Sequence, residues 1–167
     1  FTGFSILLLS CYFEYGGISF LIKNTPDFTF SIPGNFSWTF VFVWGFIALI
    51  TFIDPGFYQR TFAGKSLKTV QKGIIISILF WVLFDFMAVF TGLYALAILP
   101  TGSESPYLDL AQKVLSPLAQ GIFLVSLFSI VMSTVDSFSF ISAYTIGKDL
   151  TALLNLKQND AHILRYT

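Results

Sequence analysis

The sequence predicts an all-α integral membrane protein with four transmembrane helices, and three observations carry that prediction. Of its 167 residues, 55% are hydrophobic and 11% charged, whereas soluble domains run at roughly a quarter charged; mean hydropathy is +0.78. Apolar runs occupy 1–22, 36–57, 73–99 and 118–148, each near or above the roughly 20 residues needed to cross a bilayer as helix. Cationic residues then gather between the second and third runs and after the fourth, as they do on the cytoplasmic side of membrane proteins. The 21 Phe suit lipid-facing helices far better than a wet surface.

Composition also excludes function classes. Formal net charge is zero, so no basic field invites nucleic acid. Cys11 is the only cysteine, which rules out an internal disulfide or a thiolate metal cage. His162 is the only histidine, so a Ser-His-Asp arrangement would have to recruit it from the tail. There is no phosphate loop, no Gly-x-Ser-x-Gly and no His-Glu-x-x-His. Nothing here reads as an enzyme. Phe1 opens inside an apolar stretch without a basic leader, so this stretch is not expected to be a signal peptide. The chain is expected to be a piece of a longer membrane protein, with the remainder of that chain as its partner in a single membrane domain.

Run 1–22 is interrupted by Glu14 and by Gly16–Gly17. Glu14 stands eight residues before Ile22, so it either reaches the headgroups or serves as a buried acid. Pro26, Asp27, Pro33 and Gly34 make 23–35 an outer loop. Run 36–57 has Trp38 and Trp44 in its first half, as an interfacial belt would. At Asp54-Pro55-Gly56 two compatible readings stand. Asp54 caps a following short helix with Pro55 at its first position, or a broken helix exposes backbone groups to an ion or solute.

Residues 59–72 carry Arg60, Lys65, Lys68 and Lys72 and no acid, which places this loop in the cytoplasm. Run 73–99 holds Asp85 near its centre. A bare carboxylate at that depth costs at least ~2.5 kcal/mol on insertion scales, so it should be paired, protonated or facing a wet cavity. A structural hydrogen bond and a role in transport both remain open for it. Residues 100–117 form an outer loop with a short amphipathic helix at Tyr107–Leu115, and 149–167 a cytoplasmic tail. Arg60, Lys65, Lys68, Lys72, Lys148, Lys157 and Arg165 then lie inside, with only Lys23 and Lys113 outside. The first and third runs therefore travel outward.

Run 118–148 has Ser133 at its midpoint. At 100° per residue, Ser126, Ser129, Ser133, Asp136 and Ser137 fall on one side of a helix, with Thr134 at the edge. Such hydroxyls often bond back to a carbonyl or to a neighbouring helix, and that reading stands beside a second. Hard cations prefer oxygen ligands. Ser133 and Thr134 offer two hydroxyls, and the Ile130 carbonyl keeps a second lone pair while it accepts its helical bond. Those oxygens make half of a sodium site, and another helix would supply the rest.

Several motifs in order resemble one family, the sodium:solute symporters, which share the LeuT-type inverted-repeat fold. Gln59-Arg60, Ala63 and Lys65-Ser66 match its Gln-Arg-x-x-Ala-x-Lys-Ser loop; Gln71-Lys72-Gly73 opens the next helix as in relatives. Met132-Ser-Thr-Val-Asp-Ser137, with Lys148-Asp-Leu150 further on, resembles the family's sodium helix and its cytosolic end. The resemblance implies a partial transporter core in which the four runs are the fifth to eighth core helices. It implies Na⁺-coupled symport of a small organic solute across the cell membrane by alternating access. Ser133, Thr134 and the Ile130 backbone would hold sodium, and Asp136 and Ser137 match a second sodium position of some relatives. Asp136 departs from the neutral residue often found there.

By the same resemblance, the family's substrate-facing and gating positions would fall on Ile47, Ile50 and Thr51, and Asp54 at the break and Asp85 in the next helix are further candidates. Trp81 stands where sugar-transporting relatives carry a contacting lysine, and these departures argue against a sugar. Two alternatives remain: a symporter-like membrane sensor domain of a signalling protein, and an unrelated membrane fold whose polar stripe only packs helices.

Overall fold

The computed structural model describes residues 1–100 and 102–153, without the side chains of Gln59, Arg60, Leu150, Thr151 and Ala152. The expected tail beyond Leu153, with Lys157, His162 and Arg165, lies outside the described residues. Among those described, every regular element is helical.

Apolar length makes the helices, and a few residues place their ends. Helix α1 (Thr2–Tyr15) stops at Gly16, whose φ of +102° suits a residue without Cβ. The chain re-enters helix as α2 (Ile18–Asn24), bent by 77° from α1. The Tyr94 hydroxyl donates to the Gly16 carbonyl, and the Gly16 N–H bonds the Tyr12 carbonyl at 3.0 Å. Both polar groups of the break are thereby bonded, as a break within hydrocarbon would require.

Helix α3 (Trp38–Ala48) starts at Ser37, whose side chain accepts from the Phe40 N–H at 3.2 Å. It tightens into a 3-10 turn at Leu49–Phe52 and restarts as α4 (Pro55–Phe62). The break has a local cause. The Pro55 ring biases Asp54 away from helical backbone, while its fixed φ and missing N–H suit a first helical position.

Helix α5 (Leu67–Ile98) begins six residues before the expected run at 73, because Ser66 caps it by accepting the Thr69 N–H at 3.3 Å. Helix α6 (Pro106–Val114) is the short amphipathic helix expected at Tyr107–Leu115 and buries Leu110 and Ala111. Helix α7 (Pro117–Leu153) carries the hydroxyl stripe.

Two of these helices are long and apolar enough to cross a membrane, at Leu67–Ile98 and Pro117–Asp149. The bent α1–α2 pair makes a third if it counts as one span, and Trp38–Phe52 is a shorter apolar segment.

The core forms where α1 lies against α5 and α7, with α6 across them. Phe4, Leu7 and Cys11 of α1 meet Met87, Tyr94 and Ala95 of α5, Leu110 and Ala111 of α6, and Phe123 of α7. Phe4 packs edge-on to Phe84, Tyr107 and Phe123 with ring centroids 5.3, 5.4 and 5.4 Å away. All of these contacts sit on α5 after Leu83 and on α7 before Phe128. The other halves of both helices keep their large apolar side chains exposed, with α4 laid against α7.

Candidate functional site

At the edge of the core opens a cleft of about 880 Å³ between the first residues of α1, the start of α4, the middle of α5 and the middle of α7. Helix α7 lines it with Ser126, Ser129, Ile130, Ser133, Thr134 and Ser137. Asp54, Gly56 and Phe57 come from the start of α4, and Trp81, Phe84 and Asp85 from α5. The structure thus brings Ile130, Ser133, Thr134, Ser137, Asp54, Trp81 and Asp85 to one cavity. It does not bring Asp136, Ile47, Ile50 or Thr51 to that cavity.

Helix angle alone does not account for the division. Ser126, Ser133 and Ser137 lie within about 40° of one another around α7, and Asp136 is turned about 100° from Ser137 but only about 20° from Ser129, which lines the cleft two turns earlier. Asp136 is exposed on that flank and has no hydrogen bond or ion pair among the described residues. Ile47 and Ile50 are exposed at the end of α3 and in its 3-10 extension, and Thr51 is half-buried there.

The hydroxyls of the stripe bond to their own helix. Ser126 donates to the Ile122 carbonyl at 2.9 Å, Ser129 to Val125 at 2.8 Å, Thr134 to Ile130 at 3.1 Å and Ser137 to Ser133 at 2.9 Å. The second lone pair of the Ile130 carbonyl, read from the sequence as open, therefore receives the Thr134 hydroxyl. That bond also sets two oxygens side by side on the cleft wall. An O···O separation of 3.1 Å lets both lie about 2.3–2.6 Å from a single hard cation once the hydroxyl proton turns away. The Ser133 hydroxyl has no hydrogen-bond partner among the described residues. No group of three or more His, Cys, Asp or Glu gathers among the described residues, so neutral oxygens dominate this face of α7.

Asp54 acts first on its own helix. Its Oδ1 accepts the Gly56 N–H at 2.7 Å, and its carbonyl accepts the Phe57 N–H at 3.2 Å. A carboxylate at this end also complements the helix dipole. Gly56 then lets α4 approach α7, since a Cβ there would stand 3.0 Å from Asp54 Oδ1 and 3.1 Å from Ile141 Cδ1. Phe57 packs edge-on to Trp81 at 6.0 Å, which ties α4 to α5 across the cleft. Asp85 is exposed towards the cleft and has no hydrogen bond or ion pair among the described residues.

Ser126 and Ser129 belong to the site as well. Sequence periodicity had placed them on the stripe, since 126, 129, 133 and 137 follow the helical spacing of three and four. Thr2, Phe57, Phe84 and Phe138 also line the cleft, and only their tertiary placement reveals it.

Comparison with known proteins places the chain in a family. A family model described as the sodium:solute symporter family matches residues 24–165. A sodium/pantothenate symporter from Haemophilus influenzae is 28% identical over 157 residues, which cover 89% of this chain and 32% of that protein. The chain therefore spans about a third of the length of that relative. No solved structure matches the chain significantly.

Proposed function

Because this chain belongs to the sodium:solute symporter family, a multi-pass membrane family of transporters and not enzymes, we propose that it forms part of a Na⁺-coupled symporter for a small organic solute. In this reading the chain is one membrane domain with four spans. These are α1 with α2, the broken α3–α4 pair, α5 and α7, as the fifth to eighth helices of a LeuT-type core. The loop 59–72 and the segment after Lys148 face the cytoplasm, and 23–35 and 100–117 face outward.

Sodium binds on α7 through the Ser133 and Thr134 hydroxyls and the Ile130 carbonyl. Further ligands come from other parts of the transporter, and Ser137 stands one turn away as an additional oxygen. The supporting observation is the cleft itself, because it gathers those oxygens at the middle of a membrane-crossing helix. Neutral ligands suit an ion that must be bound and released in every cycle. Alternating access would expose the cleft first to one side of the membrane and then to the other.

The solute is a small organic molecule, and pantothenate belongs among those assayed because the relative from Haemophilus influenzae is a sodium/pantothenate symporter. The test is solute uptake into proteoliposomes by the full-length transporter carrying Ser133→Ala with Thr134→Ala. The sodium concentration for half-maximal uptake should rise tenfold or more, since two of three α7 ligands are lost. An unchanged sodium dependence would sink this assignment.

A further inference from the structure

Two features of the cleft are left unused by a sodium ion on α7. Its charge comes first. Asp54 and Asp85 line it from two different helices, and no Lys or Arg does so among the described residues. Its walls come second. Trp81 lies one helical turn before Asp85 on the same face of α5, and Phe57 meets Trp81 edge-on at 6.0 Å.

The two carboxylates differ in what they have left to offer. Asp54 Oδ1 is engaged by the Gly56 N–H, whereas Asp85 has no partner among the described residues. A carboxylate at the middle of a membrane-crossing helix is stabilised by a counter-charge, and among the described residues no Lys or Arg brings one to Asp85. A carboxylate beside an indole and a phenyl ring is the environment that binds an ammonium group, by charge on one side and by ring quadrupole on the other. The same surroundings repel an anionic solute.

We propose that the solute carries a positively charged ammonium group, with Asp85 as its counter-charge and Trp81 with Phe57 as the aromatic wall beside it. Asp85 is then a specificity-determining residue, distinct from the oxygens on α7 that hold sodium. This inference rests on the transport reading above.

The test uses the full-length transporter in proteoliposomes with an inward sodium gradient and four labelled probes. Choline and glycine betaine carry an ammonium group, pantothenate is anionic and glucose is neutral. Sodium-stimulated uptake of choline or glycine betaine, and not of pantothenate or glucose, is expected. Asp85→Asn should raise the half-saturating concentration of the ammonium probe at least tenfold and leave the sodium concentration for half-maximal uptake unchanged. Asp85→Glu, which keeps the charge, should recover most of that loss.

Uptake of pantothenate or glucose in preference to both ammonium probes would overturn the inference while leaving sodium-coupled transport intact. Equal loss of solute and sodium affinity in Asp85→Asn would also overturn it, by making the acid part of the ion site or of the scaffold. Absence of sodium-stimulated uptake of both ammonium probes would overturn the inference, whereas absence of sodium-22 binding to the purified transporter would count against the transport reading, and the inference would fall with it.

Discussion

Replacing Gly3 by alanine should loosen the whole α1–α7 contact. A Cβ at position 3 would lie 2.5 Å from Ser126 Oγ, 2.6 Å from Ser126 Cβ and 3.2 Å from the Phe123 Cα. Rotating the Ser126 side chain moves its hydroxyl but not its Cβ, which the α7 backbone holds in place. The helices must therefore part by about 0.8 Å to bring the 2.6 Å contact to the 3.4 Å of ordinary packing. Phe4, Leu7 and Cys11 travel with α1, so the shift reaches the core. Overpacking of this kind costs about 1–3 kcal/mol.

Ser126→Gly removes both of the closest atoms and should rescue Gly3→Ala. Glycine inside a helix costs about 1 kcal/mol by itself, so the test is a full double-mutant cycle and not a comparison of two variants. Equilibrium unfolding of the full-length protein in micelles should give a coupling of about 1–2 kcal/mol in favour of the double variant. Additive effects, or a Gly3→Ala variant within about 0.5 kcal/mol of the parent, would refute the close approach of these helices.

Two further perturbations probe the helix breaks. Tyr94→Phe removes the hydroxyl that satisfies the Gly16 carbonyl and should destabilise the protein by about 1–3 kcal/mol, with faster amide exchange around Gly16–Gly17. Unchanged exchange there would mean that the bend does not depend on Tyr94. Asp54→Ala should cost about 1 kcal/mol through loss of the α4 cap, whereas Asp54→Ser should retain most of it. Equal stability of those two variants would remove the capping role.

Much of the local structure could be read along the chain, because its causes are local. Gly16–Gly17 marks the bend, Asp54-Pro55 marks the restart at α4, and the amphipathic pattern at Tyr107–Leu115 marks α6. The spacing of Ser126, Ser129, Ser133 and Ser137 correctly placed them on one face. The limits have physical causes too. Ser66 extends α5 back through Lys68 and Lys72, since capped helices continue past the apolar stretch that suggests them. Asp136 lies on the side of α7 that carries Ser129, about 20° from it, and which turns of that side line the cleft depends on how the other helices pack there. The approach of Asp54 and Asp85 to the hydroxyls of α7 has no periodic trace at all. It depends on how α4 seats on α7 through Gly56 and Ile141, and on how α1 spaces α5 from α7.

The central claim is that the middle of α7 holds a sodium ion through Ser133, Thr134 and the Ile130 carbonyl. Equilibrium binding of sodium-22 to the purified full-length transporter, in the absence of solute, tests it most directly. Thr134→Ala should weaken binding about tenfold or more, because it removes one ligand and with it the hydroxyl placed 3.1 Å from the Ile130 carbonyl. Thr134→Ser, which keeps that hydroxyl, should bind nearly as the parent does. Sodium binding of equal strength in Thr134→Ala and the parent would contradict the account.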